Sequence, residues 1–213
     1  MSRASLAVPG GLYAILDESI VGSGDWAGST RDLLSGGARV IQLRTKTLEA
    51  GDMLEAAKAV IEKCRAVNAV FIVNDRADVA LIAGADGVHV GDEDIPVKEC
   101  RKLLGDKAII GASTHSKEDA LEAARSGADY IGYGPIYQTG TKQSSRAPRG
   151  IEALAEIVKS VSIPVIAIGG IDPDNVAAVK KAGATGAAVI GALGASGDIE
   201  AGANAMINAW EVA

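Results

Sequence analysis

Two hydroxyl groups and one ammonium group occur within four residues at Thr139, Thr141 and Lys142. They follow residues 129–133, whose apolar and aromatic side chains predict a buried strand that glycine and proline bring to an end. Hydroxyls and backbone N–H groups donate to phosphate oxygens, lysine neutralises charge, and glycine allows close approach of the backbone to a ligand. This segment predicts an anion-binding loop; a solvated turn is the alternative interpretation.

The segment VIQLRTK, residues 40–46, carries further polar and basic groups. Because side chains alternate along a strand, Gln42, Arg44 and Lys46 point to one face, and a hydrophobic face covered by helices leaves Gln42 and Arg44 in the interior. An interior arginine needs an acid or an anion, since an unpaired buried charge is costly. Arg44 therefore predicts a bound anion or an internal ion pair with a carboxylate across the fold.

Acidic residues follow the next two apolar segments. Asn74 and Asp75 come directly after residues 70–73, and Asp92 and Asp94 come after residues 87–90. Acidic groups facing a basic cluster conflict with plain anion binding, but a Mg2+ ion between them resolves the conflict, since Mg2+ is held by carboxylates together with substrate phosphates. The alternatives are that Asp75 caps the following helix and that Asp94 is a solvated turn residue.

Two further groups of residues lie after apolar segments. Ser113 and His115 follow residues 108–111, but no nucleophile pairs with His115, which we interpret as structural or peripheral; His89, in mid-segment, is interpreted as a core histidine. Glycine-rich stretches around Gly170 and Gly191 predict a second anion site built from backbone N–H groups and a helix N-terminus.

Positioning these residues requires a regular alternation of strands and helices. Apolar runs predict strands at 12–16, 39–43, 70–73, 87–90, 108–111, 129–133, 164–168 and 186–190. Helical periodicity predicts helices at 26–34, 50–66, 77–82, 97–104, 117–125, 151–160, 173–181 and 199–210. Eight such pairs predict an α/β fold, a (β/α)8 or TIM barrel, with an open doubly wound sheet as the alternative.

Four helix-to-strand junctions repeat one pattern: GGAR, AGADG, SGADY and AGATG each place glycine between a helix and a strand. Glycine accepts the left-handed conformation that turns the chain back after a helix, so the echo predicts one repeated unit. A chain of 213 residues is long enough for one barrel domain, and we expect a single domain over 1–213 with an N-terminal extension at 1–11.

Composition limits the classes of partner. A net charge of −6 argues against nucleic acid and anionic membranes as main partners. Cys64 and Cys100 fall in predicted helices, so a disulfide framework is not expected. No apolar stretch predicts a signal peptide or a membrane span. We therefore expect a cytoplasmic protein, and the sequence makes no prediction of oligomeric state.

Taken together, the motifs resemble those of thiamine-phosphate synthases. They are QLRTK at 42–46, VNDRADVA at 73–80, GVHVGDED at 87–94, GASTH at 111–115, GYGPIYQTGTK at 132–142 and IPVIAIGGI at 163–171, and the resemblance extends from Leu12 to Leu193. It implies a transferase that joins 4-amino-2-methyl-5-hydroxymethylpyrimidine diphosphate to 4-methyl-5-(2-hydroxyethyl)thiazole phosphate, giving thiamine monophosphate and diphosphate.

The resemblance also implies roles for individual residues. Gln42 would contact the pyrimidine; Arg44, Lys46, Asn74, Ser113 and Lys142 would hold the diphosphate; Asp75 and Asp94 would bind Mg2+; and Thr139, Thr141, Gly170, Ile190 and Gly191 would hold the thiazole phosphate. Arg44, Lys46 and Lys142 are expected to act in catalysis, with Lys142 on a loop that closes over bound substrates.

The sequence departs from the family at two positions. Gly191 stands where relatives often have serine, so only its backbone N–H could contact a phosphate. Asp92 stands where relatives often have glutamine, and it is either an additional metal ligand or a surface charge. Diphosphate departure before attack of the thiazole nitrogen needs no protein nucleophile, and the sequence offers no persuasive Ser–His or Cys–His pair. Two alternatives remain: a thiazole tautomerase, which would need a histidine where this chain has Pro135, and a non-catalytic ligand-binding barrel.

Overall fold

Eight strands pair side by side in sequence order and close into a barrel in the computed structural model, which describes residues 8–21, 24–140 and 147–213. The strands are β1 Gly11–Asp17, β2 Val40–Arg44, β3 Val70–Asn74, β4 Gly87–Val90, β5 Ile109–Thr114, β6 Tyr130–Tyr133, β7 Val165–Ile168 and β8 Gly186–Val189. Every pairing is parallel, and the pairing of β8 with β1 closes the barrel. The predicted single-domain TIM barrel is confirmed, and the open doubly wound alternative is wrong.

Helices follow the strands and cover the outside of the barrel. They are α1 Glu18–Val21, α2 Trp26–Ser35, α3 Ala50–Ala66, α4 Ala77–Ala83, α5 Val97–Leu104, α6 Lys117–Arg125, α7 Gly150–Ser160, α8 Val176–Lys181, α9 Gly191–Gly194 and α10 Ile199–Glu211. The short helices α1 and α9 were not predicted, because four residues are too few to show helical periodicity. Helix α8 begins after the predicted residue 173, because the Asp172 carboxylate accepts the N–H groups of Asp174 and Asn175 in a preceding turn.

The alternation of side chains divides the buried residues into two layers. One large cluster fills the space between strands and helices. A second, smaller cluster lies inside the barrel and includes Tyr13 and Ile15 of β1, Val40 of β2 and Tyr130 of β6. Val8, from the predicted N-terminal extension, is 4% exposed and joins this inner cluster. The strands are thus buried on both faces, as their apolar composition predicts.

The repeated glycine junctions adopt the conformation that their sequences predict. Gly37, Gly84, Gly127 and Gly183 have φ angles of 101°, 70°, 91° and 94°. Two junctions share a further contact that the sequence did not indicate. The carboxylate of Asp86 accepts the N–H of Phe71, and that of Asp129 accepts the N–H of Ile110, both at 2.8 Å. Each aspartate therefore ties its junction to the strand before it.

An ion pair secures the end of the barrel at which the strands begin. Arg101 of α5 contacts Asp129 at 2.5 Å, and both side chains are largely buried. The same guanidinium donates to the carbonyl groups of Gly105, Ala108 and Gly127. These contacts hold α5 against the starts of β5 and β6.

Two further observations concern the cysteines and the helices. Cys64 and Cys100 are buried free thiols, and neither forms a disulfide. Within the described parts of the chain, none of the helices has both the length and the apolar character needed to cross a bilayer.

Candidate functional site

A cavity of about 1270 Å³ opens at the carboxyl ends of the strands. Within the described residues, all of the predicted site residues line it, namely Gln42, Arg44, Lys46, Asn74, Asp75, Asp94, Ser113, Thr139, Gly170, Ile190 and Gly191. Thr141 and Lys142 lie outside the residues that the structure describes. Parallel strands bring their carboxyl ends to one rim, so residues far apart in the sequence meet there.

Arg44 forms an ion pair with an acid on the neighbouring strand. Asp17 lies opposite Arg44 in the register of β1 and β2, and its Oδ2 accepts a hydrogen bond from Nη1 of Arg44. Burial alone would raise the pKa of Asp17, but hydrogen bonds from Ser19 and the pair with Arg44 hold that pKa below its usual value. The ion-pair alternative is thus observed, with the carboxylate on the neighbouring strand rather than across the barrel. Asp17 uses one of five guanidinium N–H groups, so an anion can be bound as well.

Lys46 contacts the acid that directly follows β3, and that acid contacts a second one. The Lys46 ammonium lies 2.5 Å from Oδ2 of Asp75, whose carboxyl group is hydrogen-bonded to that of Asp94. Burial raises the pKa of Asp75, but the bonds from Lys46 and Asp94 outweigh it and lower that pKa overall. Burial and the neighbouring Asp75 raise the pKa of Asp94. Of the two carboxyl groups, Asp94 therefore holds a proton more tightly than Asp75 does.

Neither alternative interpretation of these two aspartates describes them fully. Asp75 is not the cap of α4, since the residue before that helix is Arg76 and no side chain caps it. Asp75 has a positive φ of 65° and donates its N–H to the carbonyl of His89, so its backbone is held against β4 just after β3 ends. Asp94 does close a turn, because its Oδ2 accepts the Gly91 N–H at 2.7 Å, but the same carboxyl group meets Asp75.

These two carboxyl groups fit Mg2+ better than a structural metal. Within the described ranges, the chain offers no group of three or more His, Cys, Asp or Glu side chains that could hold a metal ion. Mg2+ keeps several waters and is bound by one or two carboxylates plus substrate phosphates. A pair of carboxyl groups in contact, beside an ammonium and a guanidinium, supplies the protein's share of such a site. Asp92 is exposed at the rim of the same cavity.

The loops after β6 and β7 lie against each other on the opposite side of the cavity. Tyr137 donates its N–H to the carbonyl of Gly169 at 3.0 Å, which places Thr139 beside the turn at Gly170. Gly170 has a φ of 65°, and its carbonyl accepts a bond from the side chain of Asn175. The two segments from which anion binding was predicted therefore converge.

A chain of hydrogen-bonded side chains forms the floor of the cavity. It runs from Gln42 to Tyr13 (2.9 Å), Tyr130 (2.7 Å), His89 (3.0 Å) and Ser113 (3.0 Å). Both tyrosines fall in the predicted strands at 12–16 and 129–133, and both lie on the inner face of the barrel. Burial raises the pKa of both phenols, so they remain protonated.

The two histidines have different surroundings. His115 bonds through Nδ1 to the carbonyl of Gly134 at 2.8 Å, in keeping with a structural role. His89 lies inside the barrel, as predicted, but its ring reaches the cavity and contacts Ser113. This Ser–His contact was not indicated by the sequence; β4 and β5 are neighbours, and their register brings the two side chains together.

Comparison with known proteins places this geometry in a family context. The family model described as thiamine monophosphate synthase matches residues 12–193. A thiamine-phosphate synthase of Anaeromyxobacter dehalogenans is 48% identical over 95% of this chain and 88% of its own length, and one of Moorella thermoacetica is 43% identical over 92% and 93%. The solved structure of a thiamine phosphate pyrophosphorylase from Pyrococcus furiosus superposes with a TM-score of 0.87 at 40% identity, covering 95% of this chain and 96% of that one.

Proposed function

The chain belongs to the thiamine monophosphate synthase family, and we propose that it joins 4-amino-2-methyl-5-hydroxymethylpyrimidine diphosphate to 4-methyl-5-(2-hydroxyethyl)thiazole phosphate. The products are thiamine monophosphate and diphosphate. Family membership makes the chain a transferase of thiamine biosynthesis that acts on small molecules. What we propose beyond this is the identity of both substrates, the metal and the mechanism.

One observation carries the proposal most directly. The ammonium of Lys46 contacts Asp75, and Asp75 contacts Asp94, at the rim where Arg44 also lies. Cations and a carboxyl pair at one place suit a ligand that is an anion with its own metal ion, and a diphosphate with Mg2+ is such a ligand. A bare anion would be repelled by the carboxyl pair.

The diphosphate half of the site lies over β2 to β5. Arg44, Lys46, Asn74 and Ser113 would donate to the diphosphate oxygens, with Lys142 joining them from outside the described residues. Gln42, 3% exposed on the cavity floor, would contact the pyrimidine ring. Asp75 and Asp94 would hold Mg2+, which when bound would reduce the negative charge on the departing diphosphate.

The thiazole phosphate half lies over β6 to β8. Thr139 and Thr141 would donate hydroxyl groups to the phosphate, and the backbones at Gly170, Ile190 and Gly191 would donate N–H groups. Gly191 opens α9, and the first N–H groups of a helix have no partner within the helix. The two halves face one cavity, so each substrate would be held by its own anion site with the reacting atoms between them.

The chemistry that suits this arrangement is a dissociative substitution. The bond between the pyrimidine methylene carbon and the diphosphate oxygen breaks, and its electron pair leaves with the diphosphate. The aminopyrimidine ring stabilises the resulting cation, and the lone pair of the thiazole nitrogen then forms the new C–N bond. Arg44 and Lys46 would stabilise the growing charge on the leaving group, and the second anion site would align the nucleophile.

The contact between His89 and Ser113 raises a second candidate, a hydrolase with a serine nucleophile. In such enzymes the second nitrogen of the histidine is oriented by a carboxylate. Here Nδ1 of His89 contacts the Tyr130 hydroxyl, which is bonded in turn to Tyr13. The surroundings of His89 therefore favour the transferase, in which Ser113 binds diphosphate and forms no covalent intermediate.

The test is release of diphosphate on mixing both substrates with Mg2+. We expect release and formation of thiamine monophosphate only when both substrates and the metal are present. Diphosphate release without the thiazole phosphate would favour hydrolysis. Isomerisation of the thiazole phosphate alone would favour a tautomerase, and binding of both ligands without any turnover would favour a non-catalytic barrel.

A further inference from the structure

We infer that the chain of hydrogen bonds from Gln42 to Ser113 has a single direction, and that this direction makes Gln42 select a pyrimidine with an amino group over one with an oxo group. The inference assigns a positioning role to Tyr13, Tyr130 and His89. The predicted preference for an amino substrate rests on the proposed function, whereas the direction of the hydrogen bonds is a property of the protein alone.

The geometry leaves little freedom at each link. Gln42, Tyr13 and Tyr130 are 3%, 2% and 1% exposed, so water does not supply alternative partners at these groups. Because burial keeps both phenols protonated, each has one hydrogen to donate and lone pairs with which to accept. A buried hydroxyl or amide without a partner is costly, so the five groups are satisfied together or not at all.

The direction can be followed from the glutamine. Nε2 of Gln42 is a donor only, so the Tyr13 oxygen accepts from it. Tyr13 then donates to the oxygen of Tyr130, and Tyr130 donates to Nδ1 of His89. A neutral His89 whose Nδ1 accepts carries its hydrogen on Nε2, and that nitrogen donates to Oγ of Ser113.

The direction agrees with what a ligand requires at the other end. Once Ser113 accepts from His89, its own hydrogen is free to point at an anion in the cavity. The reverse direction would have Ser113 donate to His89 and turn only lone pairs toward the anion. A bound diphosphate therefore stabilises the same direction that the Gln42 amide sets, and the two ends of the chain are coupled.

The consequence for specificity lies at Gln42. With Nε2 bonded to Tyr13, the carbonyl oxygen is the acceptor of the Gln42 amide that remains for a ligand in the cavity. That oxygen accepts a bond from an amino group, but it repels an oxo group at the same position. A site built around a substrate hydrogen bond strongly rejects an analogue that lacks the bonding group, by about 10⁴- to 10⁵-fold in favourable cases. We expect the protein to prefer the amino substrate over its 4-oxo analogue by at least about 100-fold in kcat/KM.

The direction is tested without substrate by 15N NMR of the intact protein. We expect the Nε2–H tautomer of His89, with Nδ1 unprotonated. A spectrum showing the hydrogen on Nδ1 would overturn the inference whether or not the protein is a transferase. Absence of turnover by the unmodified protein would instead count against the proposed function, and the tautomer would still decide the direction.

The specificity is tested by Tyr13→Phe, which removes the acceptor for Nε2 and allows the amide to turn. We expect the preference for the amino substrate over the oxo analogue to fall to about 10-fold or less. Tyr130→Phe breaks the chain one link further on and should also shift the His89 tautomer toward a mixture. The matched control is Tyr133→Phe, whose ring packs in the outer cluster away from the chain. Unchanged selectivity in both Tyr13→Phe and Tyr130→Phe would refute the role.

Discussion

Replacing Gly170 with alanine separates the two proposed anion sites. An alanine Cβ at this position would lie 2.8 Å from Cβ of Tyr137 and 3.1 Å from its carbonyl carbon, with the carbonyl oxygen of Gln138 closer still. None of these atoms is the end of a flexible side chain, so the clash is relieved only if the loop that carries Thr139 moves. We expect the change to weaken binding of thiazole phosphate and to spare binding of the pyrimidine diphosphate.

The magnitude follows from two costs. Gly170 has a φ of 65°, and a left-handed conformation costs a residue with a Cβ about 1–2 kcal/mol. Overpacking of this kind typically costs about 1–3 kcal/mol. A part of that sum, roughly 1.4–2.8 kcal/mol, is lost from binding when the loop moves, which corresponds to a 10- to 100-fold rise in Kd for thiazole phosphate. The sum stays below the usual stability of a domain of this size, so the variant should fold.

The control lies on the same loop. A Cβ at Gly140 would meet no atom within 4 Å, and the backbone there is not in the left-handed region. Gly140→Ala should therefore leave both dissociation constants within about twofold, given the ordinary effect of surface substitutions. Isothermal titration calorimetry with each ligand separately measures all four constants. Equal weakening of both ligands by Gly170→Ala, or equal effects of the two alanine variants, would refute separate sites.

Three further outcomes are expected. Asp94→Ala should reduce diphosphate release strongly and raise the Mg2+ requirement, while Asp92→Ala does little; a larger effect of Asp92→Ala in that assay would reverse the ligand assignment. Arg101→Met, which breaks a largely buried pair, should lower stability by about 3–5 kcal/mol in urea unfolding, whereas the exposed Arg125→Met serves as a control that leaves the midpoint nearly unchanged. The pKa of Asp17 is lowered in the fold, so the ionised carboxylate stabilises the protein fully above the ordinary pKa of about 3.8, and this stabilisation is lost as the pH falls below that value. Asp17→Asn should therefore make the free energy of unfolding fall less steeply between pH 5 and about pH 2. An unchanged pH dependence in this range would contradict the prediction.

The barrel itself could be predicted because its signals are local. A strand buried on both faces is a short apolar run, and a glycine at each junction has a conformation that other residues rarely adopt. Gly84 and Gly127 needed no knowledge of their neighbours to be interpreted. The residues of the rim were predictable for a related reason. Polar residues directly after parallel strands, such as Asp75, come together at the carboxyl-terminal end of the barrel, and this does not depend on the exact register of the strands.

Contacts inside the barrel could not be predicted in this way. Tyr13 and Tyr130 are 117 residues apart, and their hydroxyls meet inside the barrel only because the sheet closes. The Ser113–His89 contact depends on a register in which His89 lies opposite Gly111, which the strand patterns do not specify. The partner of Arg44 was missed in detail because β1 runs one residue past its predicted end, to Asp17.

Two unfavourable local features coincide at one place. Asp75 adopts a backbone conformation that is uncommon for a residue with a Cβ, and it meets a second carboxyl group whose pKa is raised. Such features persist only where the surrounding structure holds them, and they cluster where a ligand repays their cost. The barrel supplies that support through the backbone bond from Asp75 to His89 and the bond from Gly91 to Asp94. A cation between the carboxyl groups would turn their mutual repulsion into coordination, so the strain at Asp75 is an argument for a metal-bound diphosphate that does not depend on the family resemblance.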